Sequence, residues 1–134
     1  MDILFYEKPG CAGNARQKAA LRAAGHRVTV RNLLAEPWTK ARLLVFLSDL
    51  PVDEWFNMSA PTVKSGIVRP SALSRDEALD LLLAHPLLIR RPLLEVGERR
   101  CVGFNAATLL TNLGLLLPDT APDGCVHPPS AKAS

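Results

Sequence analysis

The first third of the chain leaves few choices of fold. An apolar run, Ile3-Leu4-Phe5-Tyr6, is cut by Pro9-Gly10, and a segment rich in Ala, Gln, Lys, Leu and Arg follows from Asn14 to Ala24. Gly25 closes that segment, and His26 to Leu33 then alternates in part, with Val28 and Val30 against Arg27, Thr29 and Arg31. Pro and Gly interrupt regular structure, the middle segment is made of good helix formers, and its flanks carry strand patterns. Asn14 is one candidate N-cap for the helix, and a start nearer Cys11 fits as well. Strand, helix and strand in this span make a βαβ unit, whose two strands run parallel.

The next segment has a different character. Thr39 is placed to cap a helix through Leu43, Leu44, Phe46 and Leu47, and a second short helix is expected after Pro51, holding Trp55 and Phe56. Ser74-Arg75-Asp76-Glu77 is a capping-box pattern ahead of Ala78 to Ala84. Residues 38–85 therefore read as a helical insertion between two halves of a sheet. Leu93 to Val96, a turn at Gly97-Glu98 and Arg99 to Gly103 form the expected hairpin, and Asn105 caps a last helix from Ala106 to Leu113, ended by Gly114. The Pro-, Ala- and Ser-rich stretch 118–134 reads as a flexible tail behind a domain spanning 1–117.

With 134 residues, 48% hydrophobic and 22% charged, the chain has the size and composition of one globular domain. A net charge of +3 argues against a dedicated nucleic-acid binder. Met1 to Glu7 shows no basic start followed by an apolar stretch, and the Leu-rich segments are too short or too broken to span a bilayer, so a cytoplasmic protein without membrane attachment is expected. Three widely spaced cysteines do not form a disulfide framework, which suits a reducing compartment.

Cys11 stands immediately before the first helix. A helix N-terminus offers unpaired N–H groups and about half a positive charge, which favours thiolate over thiol and also attracts oxyanions. Lys8 and Arg16 add positive charge nearby in sequence. A buried structural cysteine would occupy the same position equally well.

The segment from Tyr6 to Gln17, with Glu7-Lys8-Pro9-Gly10-Cys11 at its centre, resembles the active-site loop of glutaredoxin-coupled arsenate reductases and Spx-like regulators. His85-Pro86-Leu87-Leu88-Ile89-Arg90-Arg91-Pro92 is similar to that family's His-Pro-x-Leu-Ile-x-Arg-Pro segment. The resemblance covers residues 2–113. It implies a thioredoxin-like α/β fold: a mixed four-stranded sheet with the helical insertion between βαβ and ββα halves. It also implies that Pro92 is a cis-proline facing the reactive cysteine. Cys11 and Arg91 are then the catalytic pair, with Lys8, Gly13, Asn14, Arg16, Pro92 and Arg100 about the substrate, and Arg90 solvated.

The chain also departs from the reductases. Two further family arginines would fall near Asn57 and Val102, where none stands, and Arg100 keeps the strand parity of Val102 from two residues away. Glu7-Lys8 replaces a His-Asn pair; a carboxylate there disfavours the thiolate and the lysine favours it. Asn14 stands where Spx-type regulators carry a second cysteine, which excludes a disulfide within the loop. Glu36-Pro37-Trp38, Glu54-Trp55-Phe56-Asn57, Ala60 to Gly66 and Val102-Gly103-Phe104 are closest to the family's nitrogenase-associated branch.

Two functions follow from the resemblance. One is a monothiol oxidoreductase with no bound cofactor, taking glutathione or glutaredoxin as co-substrate. The other is a non-catalytic binding or regulatory protein that docks a nitrogen-fixation partner. Cys101 reads as a core residue; Cys101, Cys125 or an external thiol would resolve a mixed disulfide on Cys11. Cys125, His127 and Asp123 offer too few ligands for a metal site. Lys64-Ser65-Gly66 reads as a solvated loop, His85 as a helix-end cap, and Trp38, Trp55 and Phe56 as core anchors.

Overall fold

The computed structural model describes residues 1–116. The described chain divides into two compact units, one comprising Met1–Asn32 together with residues 91–116, the other Leu33–Arg90.

In the first unit, β1 (Asp2–Glu7), α1 (Ala12–Ala23) and β2 (Arg27–Asn32) form the βαβ unit, and β1 pairs with β2 in parallel from Asp2↔Arg27 to Glu7↔Asn32. Strands β3 (Leu93–Val96) and β4 (Arg99–Val102) form the hairpin, followed by α5 (Ala106–Leu113). β3 joins β1 antiparallel, so the four-stranded sheet is mixed, in the order β2-β1-β3-β4. Gly97 lies at φ +60° in the hairpin turn, a left-handed conformation that glycine adopts without steric cost. Asn105 caps α5 by accepting the N–H groups of Ala107 and Thr108.

Register assigns the faces. Ile3, Phe5, Leu94 and Cys101 share one side and form a single core cluster with Leu21 of α1 and Leu109 and Leu113 of α5. Each fully buried side chain of this size contributes about 1.5–3 kcal/mol. Tyr6, Leu93, Glu95, Arg100 and Val102 have the opposite parity. β2 departs from the half-buried strand that its alternation suggests: all its residues except Val28 are exposed. It is an edge strand, with a neighbour on one side only.

In the second unit, Thr39 caps α2 (Lys40–Leu47) by accepting the N–H of Arg42. The short helix expected after Pro51 is only a 3-10 turn, Val52–Glu54; Trp55 ends it, and Phe56 forms an isolated antiparallel bridge with Ile89. Trp55 is fully buried and gives its indole N–H to the Leu50 carbonyl. A four-residue helix, α3 (Pro61–Lys64), and 3-10 turns at Pro70–Ala72 and Pro86–Leu88 link the rest. α4 (Arg75–Ala84) begins with both bonds of the Ser74–Glu77 capping box. Arg90 is less solvated than its sequence context implies: it is half-buried and pairs with Glu54 at 3.8 Å. No described helix is long and apolar enough to cross a membrane.

Candidate functional site

The loop from β1 to α1 turns tightly, with the Cys11 N–H donated to the Lys8 carbonyl at 3.1 Å and Gly10 at φ +83°. Cys11, and not Asn14, is the N-cap residue of α1. It has extended backbone angles, and its Sγ accepts the N–H of Asn14 at 3.4 Å. The sulfur takes the place that a serine or aspartate oxygen takes at an ordinary helix start. No acidic residue stands in the first turn, so the positive end of the helix faces the buried sulfur without a competing carboxylate on α1. Cys11 is disulfide-bonded in the structure, and its nucleophilic chemistry belongs to the reduced protein.

Asn14 lies inside the helix as a connector. Its Oδ1 accepts the Lys8 N–H at 3.1 Å, and its Nδ2 donates to Gln17 Oε1 at 2.9 Å; both side chains are fully buried. Buried polar groups are costly unless bonded, so this pair fixes how the loop sits on α1. Gln17 was not among the residues singled out from sequence. Its signal was available, because a polar residue three positions after Asn14 shares its helix face.

Arg91 and Pro92 reach the same end of the sheet. Tyr6 pairs with Leu93 in the antiparallel β1–β3 ladder, so continuing that register sets Pro92 beside Glu7 and Arg91 beside Lys8. The Arg91–Pro92 peptide is cis, Pro92 is buried, and its carbonyl accepts the Gly103 N–H at 2.8 Å. The Arg91 guanidinium is half-buried, and its Nε is buried without a hydrogen-bond partner among the described residues. Burial pushes its pKa down, yet a guanidinium stays charged in a protein. A desolvated cation with an unused donor is suited to an anion.

The remaining residues are placed differently. Gly13 is buried in the first turn of α1, Lys8 is half-buried and Arg16 is exposed. Arg100 pairs with Glu95 at 3.6 Å and donates to the Gly97 carbonyl at 3.3 Å, while Glu95 also accepts the Tyr6 hydroxyl at 2.9 Å. Arg100 faces Glu95, whereas Val102 faces Leu93, so Arg100 sits two residues, about 7 Å, further along the strand from the thiol loop. One ion pair was not anticipated: Lys18 of α1 holds the Glu7 carboxylate at 2.5 Å. Cys101 is a buried cysteine of the core cluster. Cys125, His127 and Asp123 lie outside the described residues. Lys64, Ser65 and Gly66 are exposed. No cluster of His, Cys, Asp or Glu able to hold a metal occurs among the described residues.

Comparison with known proteins gives a consistent picture. The model of the ArsC family matches residues 6–112. An uncharacterized 15.7 kDa protein in the draG 3′ region of Rhodospirillum rubrum is 48% identical over 118 residues, covering 88% of this chain and 82% of its own length. An arsenate reductase of Rhizobium meliloti is 32% identical over 106 residues, 75% of each chain. Among solved structures, an arsenate reductase from Vibrio cholerae superposes with a TM-score of 0.65 at 22% identity, over 87% of this chain and 98% of that one, a likeness of fold.

Proposed function

Because this chain belongs to the ArsC family, we propose that it is a thiol-dependent oxidoreductase of thioredoxin-like fold in which Cys11 is a single nucleophilic thiol. The observation that carries this reading is the sulfur of Cys11 at the N-cap of α1, accepting the N–H of Asn14. A thiolate there is stabilised by a charge-assisted hydrogen bond and by the helix end, an environment that takes cysteine pKa values from about 8.5 down to about 3.5–7.5.

In this reading the thiolate attacks an oxidised centre of the substrate and forms a covalent bond to it as the leaving group departs with the displaced electron pair. An external thiol, glutathione or a glutaredoxin cysteine, attacks the Cys11 sulfur, forms a mixed disulfide and releases the substrate reduced by two electrons. A second external thiol then frees Cys11. Arg91 holds the anionic substrate, and Pro92 sets the backbone beside it. Lys8 and Arg16 add positive potential, while Gly13 and Asn14 shape the first turn. Arg100 stands further out, engaged with Glu95. The setting proposed is nitrogen fixation in the cytoplasm, on the motif resemblance to nitrogenase-associated proteins. The name of the Rhodospirillum rubrum relative, which gives its place in the draG 3′ region, supports that setting.

The test is the pH dependence of Cys11 alkylation in reduced protein carrying Cys101→Ala and Cys125→Ser. A midpoint well below about 8.5 is expected, and a midpoint at or above that value sinks the enzyme reading. One observation favours a binding or regulatory protein instead: Val102 is apolar where the reductase resemblance calls for an arginine, and Arg100 is turned to Glu95. An ordinary thiol together with tight binding to a nitrogen-fixation protein would establish that second reading.

A further inference from the structure

The thiol loop carries a carboxylate where the reactivity proposed for Cys11 would be harmed by one. Glu7 is the last residue of β1, four positions before Cys11, and shares the strand face of Ile3 and Phe5. That face looks toward α1, where Lys18 meets the carboxylate at 2.5 Å. The pair is sheltered, with side-chain exposures of 15% for Glu7 and 18% for Lys18. Lys18 lies one helical turn beyond Asn14, whose Oδ1 holds the Lys8 N–H. Two contacts from α1 therefore grip adjacent residues of the segment leading into Cys11: one neutral, at Lys8, and one charged, at Glu7.

We propose that Lys18 is a positioning residue for Cys11 reactivity: by neutralising and holding Glu7, it keeps the carboxylate from raising the thiol pKa. The inference rests on the reading of Cys11 as an activated thiol and adds a part to it. The charged residues that flank the cysteine in sequence are Glu7 at the end of β1, Lys8 in the loop, and Arg16 and Lys18 on α1; Arg91 stands ahead of β3, and α5 carries none. Glu7 is the single acidic member of this set. Its compensation decides whether the helix N-terminus acts on the sulfur at full strength. A lone charge in a partly sheltered site of this kind moves a neighbouring titration by about half a pKa unit or more.

The experiment compares alkylation midpoints in the reduced Cys101→Ala/Cys125→Ser protein with Lys18→Met, Glu7→Gln, the two combined, and Lys18→Arg. Lys18→Met leaves Glu7 uncompensated and is expected to raise the midpoint by about half a unit. Glu7→Gln leaves the cation and is expected to lower it. The double variant returns close to the parent, and Lys18→Arg stays there. Opposite signs are the readout, because a merely structural clamp would shift both single variants in the same direction. Shifts of one sign, or none in either variant, overturn the proposal. Should Lys18→Met fail to fold, the downward shift in Glu7→Gln and the parental value in Lys18→Arg decide it. A parent midpoint of about 8.5 would overturn the activated-thiol reading, and the signs of the two shifts would still be measured.

Discussion

The backbone N–H of Asn14 is donated to Cys11 Sγ at 3.4 Å, while Asn14 Oδ1 accepts the N–H of Lys8, on the far side of the same loop, at 3.1 Å. One residue thus holds both ends of the thiol turn. Asn14→Ala removes the side-chain acceptor and the buried bond to Gln17 but keeps the backbone donor to sulfur. The expected result is a loss of about 1–3 kcal/mol in urea unfolding, the cost of leaving buried polar groups unpaired. The alkylation midpoint of Cys11 should move less than it does in Arg91→Ala.

Arg91 has the opposite profile. Its guanidinium is half-buried with Nε unpartnered among the described residues, so it brings little net stability to the fold. Arg91→Ala should change unfolding free energy by less than about 1 kcal/mol while raising the Cys11 midpoint by about one unit or more. Sulfate should raise the melting temperature of the parent more than that of the variant, because only the parent binds an anion at this position. Equal sulfate responses would count against an anion site at Arg91.

Local signals in the sequence carried much of this fold. The hairpin at Gly97-Glu98 and the helix capped by Asn105 were legible because each depends on a few adjacent residues: a glycine turn in one, a side-chain cap in the other. Cys11 and Arg91-Pro92 were legible through motif resemblance, and the β1–β3 register now explains why two distant segments meet at one end of the sheet. The exposure of β2 was not legible, since it follows from strand order and not from the alternation of Val28 and Val30. Nor was the Glu7–Lys18 pair, which depends on how α1 lies across β1. The short turns at Pro61–Lys64 and Pro70–Ala72 leave too little periodicity to read.

Ser74 offers a test in the other unit. Its Oγ accepts the Glu77 N–H at 3.1 Å, and Glu77 Oε1 accepts the Ser74 N–H at 2.9 Å. Ser74→Ala should destabilise the protein by about 1 kcal/mol in urea unfolding. Ser74→Asp, which retains an acceptor at the N-cap, should recover most of that loss. The Cys11 alkylation profile should stay unchanged in both.

His26 sets a pH dependence whose sign is determined by its surroundings. Its pKa lies below the ordinary value of 6.5, first because burial disfavours the imidazolium and second because the positive N-terminal amino group repels it. The N-terminal nitrogen stands 3.3 Å from His26 Nδ1. A depressed folded-state pKa means that the unfolded chain takes up its proton first as pH falls. The neutral histidine therefore contributes stability that is fully present above pH 6.5 and is lost as pH drops through the lowered folded value. His26→Asn removes the titration, so the unfolding free energy of the variant should fall less steeply than that of the parent from pH 7 to pH 5. Urea titrations at about half-unit intervals across that window measure the difference in slope directly. Parallel slopes would mean that the folded and unfolded chains bind a proton at His26 equally well.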